Sequence, residues 1–105
     1  MDKRTDIAIQ KIKSFISILE KNKLHIKNAY LFGSYANGNN NELSDIDFAL
    51  VSDEFSGDLW EDKKILRQYK HLISWDLSPL PFTSLEFENN FFVKEEVIAK
   101  GIKII

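Results

Sequence analysis

Two aspartates one residue apart, Asp45 and Asp47, follow the pair Gly33-Ser34 after ten intervening residues. Between and after them stand Ile46, Phe48, Ala49 and Leu50. A β-strand alternates its faces with period two, so as a strand this stretch sends Ile46, Phe48 and Leu50 into a core and both carboxylates out by the other face. Carboxylates crowded together repel, and one must hold a proton unless something compensates. A hard divalent cation removes that penalty. Mg²⁺ takes oxygen ligands in octahedral geometry and commonly shares its shell with substrate phosphates. Two such ions, about 3.5–4 Å apart, can stabilise both the attacking and the leaving oxygen of a phosphoryl-type displacement. Gly33 supplies complementary chemistry, because a glycine after a strand lets backbone approach a ligand and a helical turn starting there offers free N–H groups to an anion. The Ser34 hydroxyl adds a donor. Asp76 is the one acid of a third alternating stretch, and joins the pair if that strand neighbours the second.

Each feature alone has a simpler explanation. An Asp at a strand start commonly serves a turn or cap, Gly-Ser turns are frequent, and Asp76 stands close to Pro79 at a strand end. Asp47 is the exception, since strands disfavour an internal Asp and function explains it better.

These residues need elements to position them. Ala8, Ile12, Phe15, Ile16 and Leu19 recur at three- and four-residue spacing, which predicts an amphipathic helix over 6–21. A short apolar strand is expected over 25–32, one helical turn over 34–37, and a loop at Gly38-Asn39-Asn40-Asn41. The second strand spans 45–51. A helix over 57–71 has Leu59, Ile65, Leu66 and Tyr69 as buried candidates. The third strand is expected over 71–78, with Ile73, Trp75 and Leu77 on one face, Leu72, Ser74 and Asp76 on the other, and Pro79 and Pro81 ending it. Thr83 or Ser84 can cap a helix onset, 91–100 reads as helix stopped by Gly101, and 102–105 as an edge strand. The order predicts a single α+β domain over residues 1–105.

Composition narrows the function classes. The chain has 105 residues, 44% hydrophobic and 12% aromatic, enough for one core. Net charge is −2 without a long Lys/Arg run, so the electrostatic footprint of a duplex-gripping protein is missing and a nucleic-acid partner is not expected. With no cysteine, disulfides, thiolate zinc sites and cysteine nucleophiles are excluded. Residues 1–6 lack a signal-peptide apolar region, and no apolar run approaches the about 20 residues of a membrane span, so a soluble cytoplasmic protein is expected. His25 and His71 lack metal-ligand spacing and suit surface or strand-edge roles. Trp60, Trp75, Phe91 and Phe92 are expected in the core or an interface, Glu95-Glu96 on a solvated helix face, and Tyr35 either lining the Gly33-Ser34 turn or packing beside it.

Gly33-Ser34-Tyr35-Ala36-Asn37-Gly38, followed by Ser44-Asp45-Ile46-Asp47-Phe48, resembles the minimal nucleotidyltransferases of the DNA polymerase β-like superfamily. Trp75-Asp76-Leu77 looks like that family's third acidic position, and the resemblance extends over nearly the whole chain. It implies a two-layer nucleotidyltransferase fold, a small mixed β-sheet packed by helices. It also implies roles: Gly33 and Ser34 would hold the β- and γ-phosphates of a nucleoside triphosphate. Asp45 and Asp47 would ligate two Mg²⁺ ions, and Asp76 would ligate the catalytic one and help deprotonate the acceptor. The reaction implied is transfer of a nucleoside monophosphate, AMP from ATP, with release of pyrophosphate. Members of the family often pair with a helical HEPN-domain protein as a toxin–antitoxin module, the nucleotidyltransferase silencing its partner by adenylylating a tyrosine. Two alternatives stand beside this: a non-catalytic antitoxin that masks its partner, and transfer to a small molecule. A homo-oligomer is compatible with any of them. One departure from the family is Asn37, where many relatives carry Arg.

Overall fold

Helix α1 (Lys3–Lys21) follows the predicted stripe: Ala8, Ile12, Phe15, Ile16 and Leu19 are buried, and Thr5 joins them. The helix ends where Lys23 adopts a left-handed φ of 66° and the Leu24 N–H reaches back to the Leu19 carbonyl at 2.9 Å. The computed structural model describes residues 3–41 and 43–105; Met1 and Asp2 of the leading segment, and Glu42, lie outside the described residues. After α1 come β1 (Asn28–Leu31), a single turn α2 (Ser34–Asn37), β2 (Ile46–Val51), α3 (Leu59–Lys70) and β3 (Leu77–Phe82). The chain ends with α4 (Ser84–Asn89), a π-helical segment α5 (Val93–Ile98) and β4 (Ile102–Lys103).

The four strands form one mixed sheet in the order β3-β2-β1-β4. β1 runs antiparallel to both β2 and β4, whereas β2 and β3 are parallel. Strand alternation sorts the side chains into two clusters. Ala29, Leu31, Ile46, Phe48, Leu50 and Leu77 face α1 and α3, where Phe15 meets Phe48 edge to face at 5.8 Å between ring centres. Burying either ring contributes about 1.5–3 kcal/mol. On the opposite face, Ala49 and Phe82 pack with Val93 and Val97 of α5, with Tyr30, Phe32, Leu80 and Phe87 around them. The result is the expected α+β architecture, a small mixed sheet packed by helices.

The third strand departs from expectation. Residues 71–76 are turns, and β3 runs through both prolines instead of stopping at them. The reason lies in its place at the sheet edge. The carbonyls of Asp76 and Phe82 accept from the Ile46 and Ser52 N–H groups at 2.7 and 3.0 Å, so even-numbered residues of β3 turn their backbone toward β2. Pro79 and Pro81 are odd-numbered, and their donor-less nitrogens face the open side, where no ladder bond is lost. Prolines there also discourage edge-to-edge pairing.

Other expectations change as well. In α3 only Asp62 and Leu66 are buried; Leu59 and Ile65 are exposed. The Asp62 carboxylate accepts from the Ser56 and Gly57 N–H groups at 2.9 and 3.1 Å, organising the loop ahead of α3, whose N-terminus Asp58 caps. Trp60, Trp75, Phe91 and Phe92 lie at the surface rather than in the core. Thr83 caps α4 in a reciprocal capping box with Glu86. The last helix widens to π geometry, seen in the Ala99 N–H donating to the Lys94 carbonyl at 3.2 Å. A Cβ on Gly101 would lie 2.1 Å from the Val97 carbonyl oxygen and 2.8 Å from that of Leu31. Only glycine lets α5 close against β1 there.

Candidate active site

The site forms at the start of the central strand β2. Gly33 leaves β1 with φ +74°, a conformation side chains rarely adopt, and turns the chain into α2. Its carbonyl accepts from the Ala36 and Asn37 N–H groups at 3.1 and 3.0 Å, which closes the turn. Gly38, left-handed at φ 77°, ends it. A helical turn leaves its first N–H groups without internal acceptors, and here they sit beside Ser34, which is half-buried. Tyr35 packs into the main core, so of its two expected roles the structure shows packing.

Asp47 stands directly against this turn. A Cβ built on Gly33 would lie 2.6 Å from Asp47 Oδ2, so no side chain fits between glycine backbone and carboxylate. The Phe32 N–H donates to the Asp47 carbonyl at 2.9 Å, locking the two chain segments together. Asp45 is exposed and close enough for its charge to act on Asp47. Burial, then the Asp45 charge, push the Asp47 carboxyl above its ordinary value, against the smaller opposing effect of a hydrogen bond from Ser78. Ser78, opposite Asp47 in the β2–β3 register, is a site residue that sequence reasoning missed, because the displaced third strand hid the pairing.

Asp76 precedes the first residue of β3, and continuing the Ile46–Leu77 register back by one residue sets it opposite Asp45. Its carboxylate is already engaged. Lys11 Nζ lies 3.1 Å from Oδ2, and the Ser74 hydroxyl also donates to it. Burial pushes the Asp76 carboxyl up, but the bonds from Ser74 and Lys11 and the Lys11 charge outweigh it, and the net shift is downward. Lys11 is a second residue without a sequence signal, since a lysine on the polar side of an amphipathic helix has no visible partner. Thus the structure brings Asp45, Asp47, Gly33 and Ser34 to one locus, and holds Asp76 beside it through Lys11.

The donor set suits a hard cation. Asp45 and Asp47 offer only oxygen, and among the described residues neither takes part in an ion pair. Mg²⁺ usually binds through one or two carboxylates, with substrate phosphates completing its shell. Among the described residues no group of three acidic or imidazole side chains is arranged to hold an ion, and Asp76, expected as a third metal ligand, is paired with Lys11 instead.

Comparison with known proteins places the chain in a family. The model of the polymerase beta nucleotidyltransferase family matches residues 10–105, and the chain belongs to that family. A candidate nucleotidyltransferase from Sulfolobus solfataricus, known from a crystal structure, shares the fold with a TM-score of 0.65. The two are 16% identical, and the match covers 98% of this chain and 87% of the other. No curated protein matches the sequence.

Proposed function

We propose that this chain transfers a nucleoside monophosphate, AMP from ATP, to a hydroxyl group. The observation that supports the reading is the closeness of Asp47 to the Gly33 turn: a Cβ on Gly33 would lie 2.6 Å from Asp47 Oδ2, so the Gly-Ser turn and the acidic pair adjoin. Gly33 and Ser34 hold the β- and γ-phosphates, and α2 offers backbone donors to them. Asp45 and Asp47 hold two Mg²⁺ ions, which when bound offset charge on the phosphates and on the leaving pyrophosphate. The acceptor oxygen attacks the α-phosphorus, the bond from that phosphorus to the bridging oxygen breaks, and pyrophosphate departs. Asp76 accepts the acceptor's proton after giving up Lys11. Positioning and charge neutralisation carry the rate in such a site.

The resemblance of the Gly-Ser and Asp-Ile-Asp segments to minimal nucleotidyltransferases supports a tyrosine of a helical HEPN-domain protein as the acceptor, in a toxin–antitoxin pair. A second reading has its own observation: the Lys11–Asp76 ion pair fills the place of the third acid, as in a binding module that masks its partner without chemistry. The two separate in one experiment. The chain is incubated with Mg²⁺, the product of the adjacent gene, and ATP labelled at either the α- or the γ-phosphate. Transfer predicts label on the partner from the α-position only. A complex that forms without labelling assigns the masking role.

A further inference from the structure

The sheet order gives the site two sides. Asp47 sits on β2, with Gly33 of the β1 end on one flank and Ser78 of β3 on the other. In a displacement at phosphorus the attacking and leaving oxygens lie on opposite sides, roughly in line. With pyrophosphate held on the Gly33 flank, the acceptor comes from the Ser78 flank.

Ser78, the register partner of Asp47, also lines a groove between α3 and the outer edge of β3. One cavity of about 150 Å³ is lined by Lys63, Arg67, Lys70, Ser78 and Pro79. A neighbouring cavity of about 310 Å³ shares Lys63 and Arg67 and ends on Trp60, which is 82% exposed. The three cations recur at four- and three-residue spacing, so they share one face of α3. No acidic side chain lines either cavity, and among the described residues none of the three takes part in an ion pair. A row of unneutralised cations attracts anionic ligands. Pro79 and Pro81 exclude strand addition at this edge, so a ligand is held by side chains rather than by a backbone ladder.

Building on the proposed transfer reaction, we infer that this groove docks an acidic segment of a protein partner, which carries the acceptor hydroxyl to Asp47. Protein rather than nucleic acid is favoured by the charge distribution. The cations form one short cluster on a chain of net charge −2, whereas polynucleotide grips extend a positive surface along the backbone. Trp and Arg, here Trp60 and Arg67 in the larger cavity, are also residue types enriched among protein–protein hot spots.

The test reads binding separately from chemistry. Trp75→Phe leaves Trp60 as the sole tryptophan of the two, and its emission is titrated with a tyrosine peptide flanked by glutamates, the same peptide flanked by lysines, and oligoadenylate RNA. The glutamate peptide is expected to bind saturably and to weaken with salt. Arg67→Glu and Lys63→Glu should each weaken it about tenfold or more, while Arg67→Lys largely retains it. Both positions are exposed, so the fold is preserved, and Mg-ATP binding measured on the same variants should not change. Equal binding of the two peptides, insensitivity to charge reversal, or preference for the RNA would each overturn the inference. If the acidic peptide binds but receives no nucleotide, the groove stands and the transfer reading fails; if nucleotide is transferred equally to acidic and basic peptides, the reverse holds.

Discussion

Asp47 and Asp76 are both acids at the β2–β3 end of the sheet, and their surroundings are opposite. Asp47 is pressed between Gly33 and Ser78 beside a second negative charge, and its carboxyl is pushed up. Asp76 has a lysine 3.1 Å away and a serine hydroxyl donating to it, and its carboxyl is pulled down. One acid is left wanting a cation while the other already has one. A fold that merely tolerated acids would pair both. Under the proposed reaction, the uncompensated pair Asp45 and Asp47 is where an external cation and an anionic substrate would arrive together.

The comparison breaks most sharply at Asp47. Asp47→Asn should lower nucleotide transfer by at least about 10²–10³-fold, the scale of losing a preorganised electrostatic contact. At neutral pH the same variant should unfold no more easily than the parent, because a desolvated charge has been removed; urea titration with circular dichroism checks this. A loss of stability would show that Asp47 is a structural acid.

Gly33→Val comes next. The left-handed φ, and the 2.6 Å that would separate a Cβ here from Asp47 Oδ2, leave no room for a side chain. Forcing one in should cost about 1–3 kcal/mol of stability and move the turn away from the carboxylate. Gly38→Ala has a comparable φ of +77° but nothing within 4 Å, so it should cost about 1–2 kcal/mol and leave nucleotide binding intact. Thermal melts and ATP titrations of the two variants separate backbone strain from site geometry.

The smallest effects lie in pH. The raised Asp47 carboxyl favours the folded state below the ordinary carboxylate range, and that contribution is lost as pH rises through the raised value. Asp76, lowered, contributes above the ordinary range and loses its contribution as pH falls through the lowered value. Asp76→Asn should therefore destabilise at neutral pH, by about 0.2–1 kcal/mol for so exposed a pair, and the penalty should fade in acid. Asp47→Asn should show the mirror trend, a relative gain at neutral pH that disappears in acid. Parallel pH–stability curves for the two variants would erase the distinction drawn between these acids.

Where one local rule decided the outcome, the sequence was readable. The stripe of α1 needs only helical periodicity, and the acid–apolar alternation of β2 needs only the pleat. The cap at Thr83 and the turn at Gly33 depend on residues with few other uses. Around 71–82 the deciding fact was nonlocal. Pro79 and Pro81 stop a central strand but not an outer one, and only the sheet order makes β3 outer. Moving that strand also moved Asp76 from mid-strand to the residue before it, and brought Ser78 opposite Asp47. Lys11 meets Asp76 across 65 positions of sequence, a pairing that no short pattern announces. For Trp60 and Trp75, expected in the core or an interface, exposure excludes the core: hydrophobicity marks a residue for burial without saying whether this chain supplies the cover.

Calorimetric titration with ATP and Mg²⁺ of the parent chain, Asp47→Asn and Gly33→Val tests the union of phosphate turn and acidic pair most directly. The parent is expected to bind Mg-ATP, and to bind ATP far more weakly once Mg²⁺ is chelated. Both variants should lose the metal-dependent part of the affinity. Mg-ATP bound equally well by Asp47→Asn would contradict the claim that Gly33 and Asp47 form a single site.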